Sequence, residues 1–151
     1  EYGVRSGTVN LPMNIAIVKA MKAAVNQTAT LNSQLRRFHD ELSQFLTNFT
    51  GVKINSPQEG VPHILNIGLP GVKGEVLVNA FSKNDIMLST TSACSSKKAS
   101  LNEVLSAMNI PVKQIEGSIR ISMGSHTTLE DIQGFKDKFK LVYEEVRELL
   151  V

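Results

Sequence analysis

The sequence predicts an α+β fold in which a small sheet is covered by helices and a long helix leads into it. Two observations predict it: apolar residues recur at three-four spacing near both ends of the chain, and short segments between them alternate apolar with polar residues. A third is composition. Of 151 residues, 42% are hydrophobic and 20% charged, the profile of one globular unit with a core of its own.

From Leu11 to Phe49 the pattern is helical. Pro12 suits a first turn, and Leu31, Leu35, Phe38, Leu42, Phe45 and Phe49 form one apolar stripe, while Asn26-Gln27-Thr28 either kinks or splits the element. Val52–Asn55 predicts a short strand, followed by a turn at Pro57 and Gly60. In the next strand, His63–Leu69, the alternation sets Leu65, Ile67 and Leu69 on one face. A helix follows over Glu75–Lys83, then a short strand at Ile86–Leu88 and a short helix over Leu101–Met108. Ile119, Ile121 and Met123 alternate with Arg120 and Ser122, which predicts a strand with Arg120 on its polar face. Ile132, Phe135, Phe139, Val142, Val146 and Leu149 make the apolar stripe of a closing helix, capped by Thr127 or Thr128 with Glu130 or Asp131 three residues on.

Charge excludes some functions. Lys and Arg number 16 against 14 Asp and Glu, and the basic residues are scattered, so there is no electrostatic footprint for direct nucleic-acid binding. No apolar run reaches the length of a membrane span, and no signal-peptide pattern opens the chain, which leads us to expect a cytoplasmic protein. The first residue is Glu1, in a stretch that resembles the middle of a loop, so the chain is expected to be cut from a longer one.

With a single cysteine, Cys94, neither an internal disulfide nor a paired-thiolate zinc site can form. Cys94 lies in Ser89–Ser100, a run of Ser, Thr and Lys that predicts an exposed loop rather than a core position. Lys97 and Lys98 favour its thiolate, which leaves two readings on chemistry alone, a reactive thiol or an inert exposed one. Arg120 on a polar strand face is by itself either a surface residue or an anion-binding one. Gly7-Thr8 is by itself a turn and helix cap, although hydroxyls and free N–H groups at a helix start also suit phosphate. His39, His63 and His126 have no metal-ligand spacing; His39 is expected at the surface, and Lys136, Lys138 and Lys140 on the solvated face of the last helix.

Four segments together resemble one family. Ser89-x-x-Ser92-Ala93-Cys94-Ser95, with Val104-Leu105 ten residues beyond the cysteine, is similar to the active-site loop of cysteine desulfurases of the long-loop NifS/IscS type. Arg5-Ser6-Gly7-Thr8, Pro62-His63-Ile64-Leu65-Asn66-Ile67, and Ser118–Gly124 followed by Thr127-Thr128 and Glu130-Asp131-Ile132 agree in order and spacing. The resemblance covers nearly the whole chain. It implies the small domain of a fold-type I pyridoxal 5'-phosphate enzyme, a homodimer whose larger domain carries the cofactor lysine in a Ser-x-His-Lys motif. That motif does not occur here.

On the same resemblance, residues 1–10 are a loop from the large-domain side, 11–49 a connecting helix and 50–151 an α/β sandwich. Cys94 is the residue that takes sulfur from L-cysteine as a persulfide, Arg120 binds the substrate carboxylate, and Thr8 contacts the cofactor phosphate of the neighbouring subunit. The implied partners are L-cysteine and a sulfur-acceptor protein, either an iron–sulfur scaffold or a transfer RNA thiolation enzyme. Two rival readings are the small domain of another fold-type I enzyme, such as a selenocysteine lyase or aminotransferase relative, and a stand-alone sulfur-carrier or interaction module.

Overall fold

The computed structural model describes residue 3, residues 6–90 and residues 102–149. Helix α1 runs unbroken from Leu11 to Leu46, so Asn26-Gln27-Thr28 neither kinks nor splits it. Its N-cap is Asn10, whose side chain accepts from the Met13 N–H, with Pro12 in the first turn where no N–H is missed. The only residues of α1 that are fully buried lie in its second half: Leu35, Phe38, His39, Leu42 and Leu46. In the first half Leu11, Met13, Ile15, Ile17, Val18, Met21 and Val25 are exposed, Val25 to 72%.

A four-stranded antiparallel sheet follows, in the order β1-β2-β4-β3. The strands are β1 (Lys53–Ile54), β2 (Ile64–Gly68), β3 (Ser89–Thr90) and β4 (Ser118–Ser122). Between them come α2 (Gly74–Ser82), α3 (Glu103–Ala107) and α4 (Val112–Glu116), and the chain closes with α5 (Leu129–Val146) and a 3-10 turn at Arg147–Leu149. The alternation in β2 and β4 decides where the core lies. Leu65, Ile67, Ile119 and Ile121 are all buried on one face, and α1, α2 and α5 cover that face with Leu42, Leu77, Phe81, Ile132 and Phe139 among others.

Phe139 sits at the middle of this layer, with ring contacts to Phe45, Phe49, Phe81, Phe135 and Tyr143. Helix α5 starts in a full capping box: the Thr128 hydroxyl accepts from the Asp131 N–H while the Asp131 carboxylate accepts from the Thr128 N–H. Gly117 is where the chain turns into β4 against the end of β2; a Cβ there would stand 2.2 Å from the Leu69 carbonyl oxygen, so only glycine fits.

Three expectations are corrected, and one element is added. Ile86–Leu88 is not a strand: Asp85 takes a left-handed φ of 62°, Ile86 N–H returns to the Phe81 carbonyl, and pairing with β4 begins only at Ser89. Helix α4, started at Pro111, went unforeseen because five residues are too few to show a period. His39 is buried rather than on the surface, with 3% exposure, since it shares with Leu35, Leu42 and Leu46 a face wider than the single stripe. Lys136 is not on a solvated face but half-buried, paired with Glu41 of α1 and lying 5.8 Å from the Phe45 ring centre.

Candidate functional site

The face of the sheet turned away from the helices α1, α2 and α5 is polar, and the strand registers line up one row across it. Asn66 stands opposite Arg120, and Arg120 opposite Ser89. The Asn55 N–H, donating to the Asn66 carbonyl at 2.9 Å, extends the row to the β1 side. Opposed residues of an antiparallel pair share a face, with Cβ atoms about 4.5–5.5 Å apart. Asn55, Asn66, Arg120 and Ser89 therefore form a continuous polar row, one residue from each strand or its end.

Arg120 is exposed between buried Ile119 and Ile121, as the alternation predicts. Among the described residues no carboxylate forms an ion pair with it; the ion pairs there are His39–Asp40, Glu41–Lys136, Asp137–Lys140 and Glu144–Arg147. A guanidinium left in this state, fixed on a strand, is free to take an external anion with two parallel hydrogen bonds.

Beside it the row is locked by hydrogen bonds among buried amides. Asn55 Nδ2 donates to Asn66 Oδ1 at 2.7 Å and to Ser118 Oγ at 2.9 Å. Gln114 of α4 donates through Nε2 to Asn55 Oδ1, and Ser118 Oγ donates back to the Gln114 carbonyl at 2.6 Å. Gly68 makes room for this cluster, because a Cβ on it would lie 2.6 Å from Gln114 Cγ. The sequence reading contained Asn66 and Ser118 inside motifs and Asn55 at the end of a strand, and assigned none of them a role; Gln114 escaped it altogether. The one available signal was an asparagine at a strand position next to the core residues Leu65 and Ile67.

Thr8 is exposed, just after Gly7 with its positive φ of 98°, and two residues before the Asn10 cap. At about 1.5 Å of rise per residue, α1 carries the chain roughly 36 Å between its start and the first buried position, Leu35. Thr8 and Arg120 are thus not brought together within this chain. Cys94 and Arg5 lie outside the described residues.

A cleft of about 470 Å³ opens at the other end of β4, lined by Leu42, Asp85–Leu88, Ile121–Thr127, Asp131, Ile132 and Phe135. Among the described residues its walls carry two carboxylates and neither lysine nor arginine. A dianionic phosphate and an aldehyde that needs a lysine do not fit that described lining. Asp131, on its rim, has its pKa held below the ordinary value by the Thr128 N–H and then by the Thr128 hydroxyl, the cap bonds described above.

Comparison with known proteins gives the class to which the chain belongs. Residues 1–135 match the Aminotransferase class-V family. The chain belongs to that family.

Several relatives within it carry NifS or cysteine desulfurase names. A NifS/IcsS protein homolog of Lactobacillus delbrueckii is 35% identical over 146 residues, 95% of this chain and 38% of the relative. Cysteine desulfurase IscS of Methylococcus capsulatus is 35% identical over 133 residues, 87% of this chain and 32% of the relative. A solved NifS-like protein superposes with a TM-score of 0.78 at 29% identity, over 97% of this chain and 36% of that one. A NifS-like protein from Rickettsia africae, at 22% identity, shares the fold with a TM-score of 0.77. The chain is therefore similar to NifS/IscS cysteine desulfurases and has their fold-type I architecture, while spanning less than two fifths of the length of the curated relatives described.

Proposed function

We propose that this chain is the C-terminal, small-domain part of a pyridoxal-phosphate-dependent cysteine desulfurase, which converts L-cysteine to L-alanine and passes the sulfur on as a persulfide. The observation that carries the reading is Arg120: a guanidinium without an ion-pair partner among the described residues, fixed mid-strand and flanked by the edge strand that runs into the Cys94 segment. Ser89 is opposite Arg120, and only three residues separate Thr90 from Cys94. A chain spans at most about 3.6 Å per residue, so the tether holds Cys94 within about 14 Å of Thr90. A thiol and a carboxylate-binding cation on so short a leash suit a small amino acid that carries both a carboxylate and a sulfur.

In this reading Arg120 binds and orients the substrate carboxylate. The Cys94 thiolate, favoured by Lys97 and Lys98, attacks the substrate sulfur. The sulfur–carbon bond breaks with its electron pair left on carbon, which takes up a proton to become alanine, and the sulfur remains on Cys94. Pyridoxal phosphate, when bound, supplies the electron sink for this chemistry. Its lysine and most of its cradle belong to the part of the protein outside this chain, and Thr8 contributes a hydroxyl to the phosphate of the neighbouring subunit. The bare apolar first half of α1 supports the same view, since seven exposed aliphatic and methionine side chains on one helix suit burial against further protein. We place the intact enzyme in the cytoplasm as a homodimer, delivering sulfur to an iron–sulfur scaffold or a transfer RNA thiolation enzyme.

The test is on Cys94. Brief exposure of the holoenzyme to cysteine, followed by mass spectrometry without reductant, is expected to show one extra sulfur atom on the peptide containing Cys94. Cys94→Ser should lose sulfur transfer by orders of magnitude while still binding cysteine, because a hydroxyl is a far weaker nucleophile towards sulfur. An unmodified peptide together with full sulfur delivery by the serine variant would refute the proposal.

A further inference from the structure

We propose that Asn66 is a second binding residue for the substrate carboxylate, donating from its side-chain amide to the anion that Arg120 holds. This deepens the reading above and rests on it. An asparagine side chain has one acceptor oxygen and two N–H donors on nitrogen, and the bonds around it decide which way it faces. Here the orientation is set from outside. Gln114 Nε2 occupies Asn55 Oδ1, which leaves Asn55 only its Nδ2 to offer, and that nitrogen donates to Asn66 Oδ1. Asn66 must therefore present its oxygen to Asn55 and its NH2 group away from it.

That NH2 group donates to no acceptor among the described residues, although Asn66 is only 9% exposed. Its backbone is accounted for separately, the N–H donating to Ser56 Oγ at 2.8 Å and the carbonyl accepting from Asn55 and Ser56. Among the described residues the fully enclosed side-chain atoms without a partner are His39 Nε2 and Ser43 Oγ, so the Asn66 nitrogen keeps an opening to the polar face, through which water or a ligand supplies its acceptor. The neighbour across the strand pair is Arg120, itself a set of donors, so the two side chains cannot satisfy each other. What satisfies both at once is an anion between them, and a carboxylate has four lone-pair positions to share. The amide cluster thus does for Asn66 what the strand does for Arg120: it fixes a donor before the substrate arrives.

Removing one hydrogen bond to a charged group weakens binding by roughly tenfold or more. Two probes separate a carboxylate contact from a general structural role: L-alanine, the carboxylate-bearing product, and cysteamine, which keeps the amine and thiol of cysteine and lacks the carboxylate. In the holoenzyme, binding is followed by the change in cofactor absorbance. Asn66→Ala is expected to weaken alanine and to raise KM for cysteine by roughly tenfold, with cysteamine unchanged. Asn66→Asp keeps the shape and the oxygen facing Asn55 but replaces the donor with a negative charge; it should produce the same selective loss, larger in size, and it serves if the alanine variant fails to fold. Arg120→Lys is the control. If Arg120→Lys weakens alanine selectively and the Asn66 variants do not, Asn66 is no carboxylate ligand and the function assigned to Arg120 stands. If the Asn66 variants weaken alanine and cysteamine equally, Asn66 is only a strut of the sheet and the inference is overturned. If Arg120→Lys leaves both probes unaffected, the assignment of this face as the substrate site falls, and the inference with it.

Discussion

Arg120→Lys in the intact enzyme separates the functional reading of the polar face from the bland one. Arg120 is exposed and forms no ion pair among the described residues, so its replacement should change stability by no more than about 0.5 kcal/mol. The effect on a bound carboxylate is different in size. Lysine keeps the charge but offers a point donor in place of the planar fork, so one of two parallel charge-assisted hydrogen bonds is lost. At about 1.5–3 kcal/mol for a hydrogen bond to a charged group, the loss in kcat/KM for cysteine is about 10- to 150-fold. On the proposed function the cofactor is held by other residues, so its affinity should not change. Steady-state kinetics with varied cysteine, beside a thermal melt and a cofactor titration, give all three quantities from one preparation. A variant with unchanged kcat/KM would return Arg120 to an ordinary surface residue, and one that loses cofactor and substrate together would show that the arginine supports the site in some other way.

Two further outcomes concern the scaffold. Phe139→Ala removes the ring shared by five aromatic neighbours at a 1% exposed position, and should cost about 3–5 kcal/mol in denaturant unfolding; a loss under 1 kcal/mol would mean that the helical layer repacks freely. Asp131 has its pKa lowered by the capping bonds from Thr128, so its contribution to stability is present above the ordinary carboxylate value of 3.8 and is lost as the pH falls through the lower, folded value. Asp131→Asn should therefore flatten the acid limb of the unfolding curve relative to the parent protein, and an identical acid limb in both would remove the cap from the account.

Much of this protein was legible in the sequence because its signals are periodic and long. The α5 stripe from Ile132 to Val146 and the alternation of Leu65, Ile67, Ile119 and Ile121 each repeat enough times to name the element and its buried face. The four motifs name the family, and alternation alone turns Arg120, between two isoleucines, outward. Short or context-dependent features escaped. Helix α4 has five residues, and β3 has two, placed by pairing with β4 rather than by its own pattern. His39 looked like a surface residue because a histidine carries no hydropathy signal strong enough to widen a stripe.

The sequence alone determined the periodic elements, the polar direction of Arg120 and the family, since each depends on residues close together in the chain or on matched motifs. Only the tertiary structure decided what stands beside Arg120. Asn55, Asn66, Gln114 and Ser118 are up to 63 positions apart, and they meet because the order β1-β2-β4-β3 inserts β2 between β1 and β4 while Gly68 leaves room for Gln114 to close over them. Strand order and register are collective properties of the buried face, set by how Leu65, Ile67, Ile119 and Ile121 pack under the helices, and the opposite face inherits its row of donors from that packing.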